Sequence, residues 1–240
     1  MSGLSRQSTI DEWVKDEMSR TAVFEELEID FCCGGNKTLQ DACREKGLDL
    51  DAVVERLISA GGAKTVREVT DWASLSVSEL VDHILSTHHA YLKEAIPSLT
   101  ELVDKVVHAH EERHPELARV KSAVRELFDD LQSHLMKEEN ILFPLAISMN
   151  SKIPAGEFHC SSARGPVMVM RHEHDQANRL LDEIRDATRN YKMPQDGCAS
   201  YQLMLNRLKE FEVDLHVHIH KENDVLFPGI LELELSRQGS

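Results

Sequence analysis

Apolar residues recur three and four positions apart through most of the chain, the period of one face of an α-helix. Alternating runs of β-branched residues, which mark strands, are absent. The pattern predicts four long helices over about 77–112, 115–147, 165–190 and 198–227. Pro115 suits a first helical turn. Pro144 and Pro228 each follow Leu-Phe and predict helix ends, and Pro154 and Pro194 fall in the later connections. Long amphipathic helices joined by short connections predict an antiparallel bundle.

The first 70 residues carry a different rhythm. One helix is expected over 9–27, with Trp13, Val14, Met18 and Val23 on its apolar side. It ends before Ile29-Asp30-Phe31-Cys32-Cys33-Gly34-Gly35, where two glycines break regular structure. Thr38 with Asp41 resembles a capping box, Gly47 closes that short helix, and Asp49 or Asp51 caps the next, which stops at Gly61-Gly62. Residues 60–70 read as a linker. The expectation is an all-α chain: a small helical domain over 1–70, then a four-helix bundle over 71–240.

Charge narrows the partners. With 27 Lys and Arg against 42 Asp and Glu, the net charge is −15, which argues against nucleic acid or an anionic membrane surface. No apolar stretch is long enough to span a bilayer, and the polar amino-terminal residues do not read as a secretory signal. Five cysteines without a ladder of spacings fit a reducing cytoplasm better than a disulfide scaffold. The unusual number is 13 histidines.

Those histidines sit in an internal repeat. Residues 134–144 read His-Leu-Met-Lys-Glu-Glu-Asn-Ile-Leu-Phe-Pro, and residues 218–228 read His-Ile-His-Lys-Glu-Asn-Asp-Val-Leu-Phe-Pro, with six of eleven positions identical. An acid–His pair precedes each copy: Asp82-His83, 51 residues before His134, and Glu173-His174, 44 before His218. The bundle therefore reads as two hairpins of one design, each offering one His on its first helix and His-x-x-x-Glu on its second.

Residues four apart on a helix share a face, so His134 with Glu138, and His218 with Glu222, can each address one metal. Adding His83 and His174 gives four imidazoles and two carboxylates. Two carboxylates bridging two metals leave each with two imidazoles and two carboxylate oxygens, with room for a bridging oxo or water and one open position. Such nitrogen and oxygen sets suit iron or manganese. The spacing alone is weak, since His108 and Glu112 share it near a helix end without the repeat; the duplicated context carries the signal.

Helix angle sorts the rest. His172, His216 and His220 point away from their ligand neighbours and are expected to face solvent. His88 and His89 diverge from His83, His88 less decisively. Asp130 is placed to orient the His134 imidazole, and Glu173 to do the same or to line an access route; the alternative for both is an ordinary surface acid. Cys32 and Cys33 precede a helix start, where a thiol pKa falls; thiol exchange, transient metal contact and docking are their candidate roles. Cys43, Cys160 and Cys198 are expected to be structural.

The Asp-Phe-Cys-Cys-Gly-Gly motif ahead of the doubled His-x-x-x-Glu and Leu-Phe-Pro resembles the bacterial iron-sulfur cluster repair proteins, whose second domain is a hemerythrin-like bundle. The resemblance covers nearly the whole chain. It implies a cytoplasmic stress protein with a non-haem di-iron centre held by His83, His134, Glu138, His174, His218 and Glu222, the two glutamates bridging and an oxo or hydroxo bridge completing the pair. It implies repair of clusters damaged by nitric oxide or oxidants, by iron supply to the damaged proteins. Nitric oxide binding, scavenging or reduction at the open iron positions is the alternative, and an oxygen sensor or carrier the third reading. Whether the protein is an enzyme, or a homodimer, is left open.

Overall fold

The computed structural model describes residues 4–16, 20–27, 29, 31, 35–62, 72–150 and 162–238. Among them every regular element is helical, and one isolated bridge pairs Thr9 with Thr38. The chain divides into two compact units, Met1–Asp71 and Trp72–Ser240.

The first unit holds α1 (Ile10–Asp16), α2 (Thr21–Glu26), α3 (Leu39–Lys46) and α4 (Leu50–Gly62). The single helix expected over 9–27 is thus two helices. Just before α2, the Arg20 guanidinium donates to the Trp13 and Leu57 carbonyls and pairs with Asp16. Thr38 caps α3 by accepting from the Asp41 amide at 3.1 Å, and Gly47 ends it at φ 66°, a conformation that costs glycine little. Asp49 Oδ1 accepts from the amides of Asp51 and Ala52 and starts α4. Ile10, Trp13, Phe24, Phe31, Leu39 and Leu57 form the core of this unit. Cys32, Cys33 and most of the expected linker lie outside the described residues.

The second unit is the four-rod bundle. The first rod is α5 (Val77–Ile84), a π turn (Leu85–His89) and α6 (Ala90–His110). The second is α7 (Leu117–Lys137), a π turn (Glu138–Leu142) and α8 (Phe143–Asn150); the third is α9 (Arg164–Ala187). The fourth is α10 (Ala199–Lys221), a π turn (Glu222–Leu226) and α11 (Phe227–Gln238). Ser76 and Glu79 close a reciprocal capping box at the start of α5. Helices α5 and α6 pack against α8 and α7, α7 against α9, and α10 against α6.

Pro144 and Pro228 do not end their helices. The phenylalanine before each proline bonds through its amide five residues back, Phe143 to the Glu138 carbonyl and Phe227 to that of Glu222. The ladder is already displaced where the proline, which has no amide hydrogen to give, resumes it. Continuation past Pro228 supplies α11, whose Ile230 joins Leu80, Ile84, Phe143, Met170 and Phe227 in one apolar layer. Leu92, Leu99, Phe128, Leu131, Leu181, Phe211 and Leu215 are also buried, further along the rods.

Candidate metal centre

Among the described residues, three of the four rods carry a π turn, and each turn begins or ends on a buried polar residue. His89 closes the first, Glu138 opens the second and Glu222 opens the third. A π turn widens the helix by one residue and rotates the stretch beyond it, and such turns gather at functional sites. Here they aim side chains from rods one, two and four at a point that α9 faces with His174.

His89, His134, Glu138, His174, His218 and Glu222 are each at most 2 % exposed. Glu138 Oε2 lies 3.3 Å from Nε2 of both His89 and His134. Glu222 Oε2 lies 3.1 Å from His174 Nε2, and Glu222 Oε1 lies 2.9 Å from His218 Nε2. Two sets emerge, His89, Glu138, His218, Glu222 and His134, Glu138, His174, Glu222, with one ligand atom from each residue within 4.8 Å of the others in its set. Both glutamates belong to both sets.

These residues fit metal cations better than they fit one another. Glu138 Oε1 and Oε2 and Glu222 Oε2 accept no well-aligned hydrogen bond although they are fully buried. The Nε2 atoms of His134 and His174 face each other at 3.1 Å. Buried carboxylate oxygens without a hydrogen bond are costly, and metal ions held among these atoms would give each a partner.

An outer ring orients the imidazoles. His89 Nδ1 meets Glu139 Oε1 at 2.8 Å, and Lys93 pairs with the same carboxylate. His134 Nδ1 meets Glu173 Oε2 at 3.0 Å, backed by Lys137, and His174 Nδ1 meets Asn223 Oδ1 at 3.1 Å. Partners on Nδ1 fix the ring and leave Nε2 to the centre. Phe143 packs on His89, and Phe227 stacks on His174 with ring planes 5° apart. The repeated Leu-Phe-Pro thus supplies an apolar wall.

Charge balances inside the cluster. Burial and Glu222 oppose ionisation of Glu138, but His134 and His89 outweigh them and lower its pKa. Burial likewise opposes Glu222, and His218 and His174 hold it well below the carboxylate range. Burial works against a proton on His134, yet Glu138 and Glu173 raise its pKa to about 10. Hydrogen bonds from His134, then from Lys137, lower Glu173 to about 2.

Five of the six expected ligands come together; His83 does not. It is half-buried, with its ring 4.2 Å from that of Trp72 and Nε2 at 2.8 Å from Lys221 Nζ. His89 stands in its place because the π turn rotates the residues beyond Ile84. The spacing held this signal: His89 lies 45 residues before His134, closer to the 44 between His174 and His218 than the 51 from His83. The paired Asp82-His83 and Glu173-His174 pointed the other way. Glu173 orients His134 as expected, whereas Asp130 instead accepts from Gln176 at 3.0 Å. His220, expected at the surface, is buried with Nδ1 2.7 Å from Asp224. Cys43 is buried, but Cys198 is exposed, with Sγ 3.1 Å from His110 Nε2; Cys160 lies outside the described residues.

Four rods around two buried His and Glu sets define a cation-binding helical bundle. The family model "Hemerythrin HHE cation binding domain" matches residues 80–230, and a domain of unknown function, ScdA_N, matches residues 6–60. A probable iron-sulfur cluster repair protein of Haemophilus influenzae is 36% identical over 211 residues, 88% of this chain and 91% of the relative. The iron-sulfur cluster repair proteins YtfE of an Enterobacter species and of Escherichia coli O1:K1 are 34% and 36% identical, covering 94% and 88% of this chain and 97% and 90% of their own. The chain belongs to this family of hemerythrin-like iron-sulfur cluster repair proteins.

Proposed function

We propose that His89, His134, His174 and His218, with Glu138 and Glu222 as bridges, hold two iron ions, and that the protein repairs damaged iron-sulfur clusters by giving iron up. The observation that carries this reading is the pair of four-residue sets sharing two fully buried carboxylates. A bound iron pair supplies Lewis acidity and one-electron chemistry. The chain supplies the fixed imidazoles, the two bridging carboxylates and an apolar wall that limits water. It also supplies a way to let go. In the metal-free chain His134 holds a proton up to a pH of about 10, so a proton and a metal compete for the same nitrogen, and proton uptake there favours departure of the cargo.

The recipients are proteins with damaged iron-sulfur clusters, the class that the relatives' names indicate, with nitric oxide or oxidants as the damaging agents. A reducing cytoplasm is the setting that cysteine usage favours. Thiol chemistry at Cys32 and Cys33, exchange with the recipient or docking to it, belongs to this reading. The test mixes the iron-loaded chain with an enzyme holding a damaged cluster and follows recovery of that enzyme's activity. Recovery faster than with free ferrous iron at equal concentration supports donation. Recovery no faster than that, with consumption of nitric oxide by the same preparation, favours action on the gas instead.

A further inference from the structure

Lys221 is a buried cation with no carboxylate at ion-pair distance among the described residues. It is 5 % exposed. Its Nζ lies 2.8 Å from His83 Nε2 and 2.8 Å from His88 Nε2, and 4.1 Å from the centre of the Trp72 ring. His88 faces Asp214 Oδ1 through Nδ1 at 3.0 Å, and its ring stacks on that of His218 at 5.4 Å with planes 11° apart. Asp214, His88 and Lys221 therefore form a chain beside a residue of the metal centre, and Lys221 directly precedes Glu222. Burial opposes the charge, with attraction from Asp214 partly offsetting it, and lowers the lysine pKa to about 8.

We infer that Lys221 is a positioning charge for the metal pair: the ammonium fixed by His83, His88 and Trp72 raises the reduction potential of irons held by the six residues, and Asp214 acts through His88 in the opposite sense. This rests on the di-iron reading and deepens it. A positive charge beside a centre stabilises the state with the lower metal charge, and the poor solvent access of this site leaves the charge weakly screened. Ferrous ions are held less tightly than ferric ions by carboxylates, so a centre biased toward the reduced state releases iron more readily. The same chain gives His83 a role other than ligation, as one of the two acceptors that pin the ammonium.

The test is a redox titration of the iron-loaded full chain, read by its optical spectrum, for the wild type, Lys221→Met, Lys221→Arg and Asp214→Asn, with iron content measured on each. Lys221→Met is expected to disfavour reduction by tenfold or more, about 59 mV for a one-electron step. Lys221→Arg keeps the wild-type potential, and Asp214→Asn moves it to more positive values. A general disturbance of packing would not give opposite signs for the two neutralising variants. An unchanged potential in Lys221→Met, or a shift of the same sign in Asp214→Asn, overturns the inference. If Lys221→Met does not fold, the sign of the Asp214→Asn shift decides alone. A wild-type chain that holds no iron overturns the di-iron reading and the inference with it, whereas normal iron content with a wild-type potential in the variants overturns the inference only.

Discussion

At the scale of the residue, His83 and His89 are separated by six positions and two environments. His89 is 1 % exposed and 3.3 Å from Glu138 Oε2, while His83 touches Lys221 and Trp72. His89→Ala is therefore expected to lose at least one of two irons per chain, and His83→Ala to keep both, by elemental analysis of protein purified without added metal. Equal iron in the two variants would remove the distinction. The proton on His134 gives a second expectation. Its folded pKa is raised to about 10 from about 6.5 in an unfolded chain. The stabilisation of the metal-free fold by this proton is complete below a pH of about 6.5 and is lost as pH rises through about 10. Metal must displace the proton, so iron affinity rises with pH across the same window. Calorimetry of ferrous binding near neutral pH in buffers of different ionisation heat should show proton release, and His134→Ala should reduce it.

The helical elements show what the chain's pattern can and cannot convey. Three- and four-residue periodicity placed the four rods, because apolar burial on one face writes itself into spacing. It could not convey the π turns, since one inserted residue per turn leaves the average period almost unchanged while rotating every later residue. That rotation is why His89 replaces His83 and why Pro144 and Pro228 lie inside rods. Glu138 and Glu222 face the cluster where spacing put them because each lies four residues past its histidine, ahead of the rotation. Deleting Ile141, an exposed residue within the second π turn, should restore α-register and swing Phe143 away from His89. Far-ultraviolet circular dichroism should then keep its helical amplitude while iron content falls by half or more. Full iron content in this deletion would show that the turn has no part in shaping the centre.

Across the whole molecule, the two units differ in how much their sequence could disclose. The bundle's candidate site was legible because a duplicated segment repeats polar residues that packing alone does not require. The first unit's caps at Thr38, Gly47 and Asp49 were legible from turn chemistry, whereas the division of 9–27 into α1 and α2 was not; Arg20, just before α2, bonds to the carbonyls of Trp13 and of Leu57, the latter from a distance in sequence that local periodicity does not register. The proposed ligand set draws at least one residue from each rod, so metal bound there would need the folded bundle and should stabilise it by mass action, about 2.7 kcal/mol at a hundredfold excess over Kd. Thermal unfolding of the second unit should rise in midpoint with iron and fall on chelation.

Mössbauer spectroscopy of the full chain loaded with iron-57, with iron counted on the same sample, addresses the shared carboxylates most directly. Two irons per chain, magnetically coupled in the oxidised state, are predicted; a single iron, or two that behave as isolated ions, would contradict the bridging roles of Glu138 and Glu222.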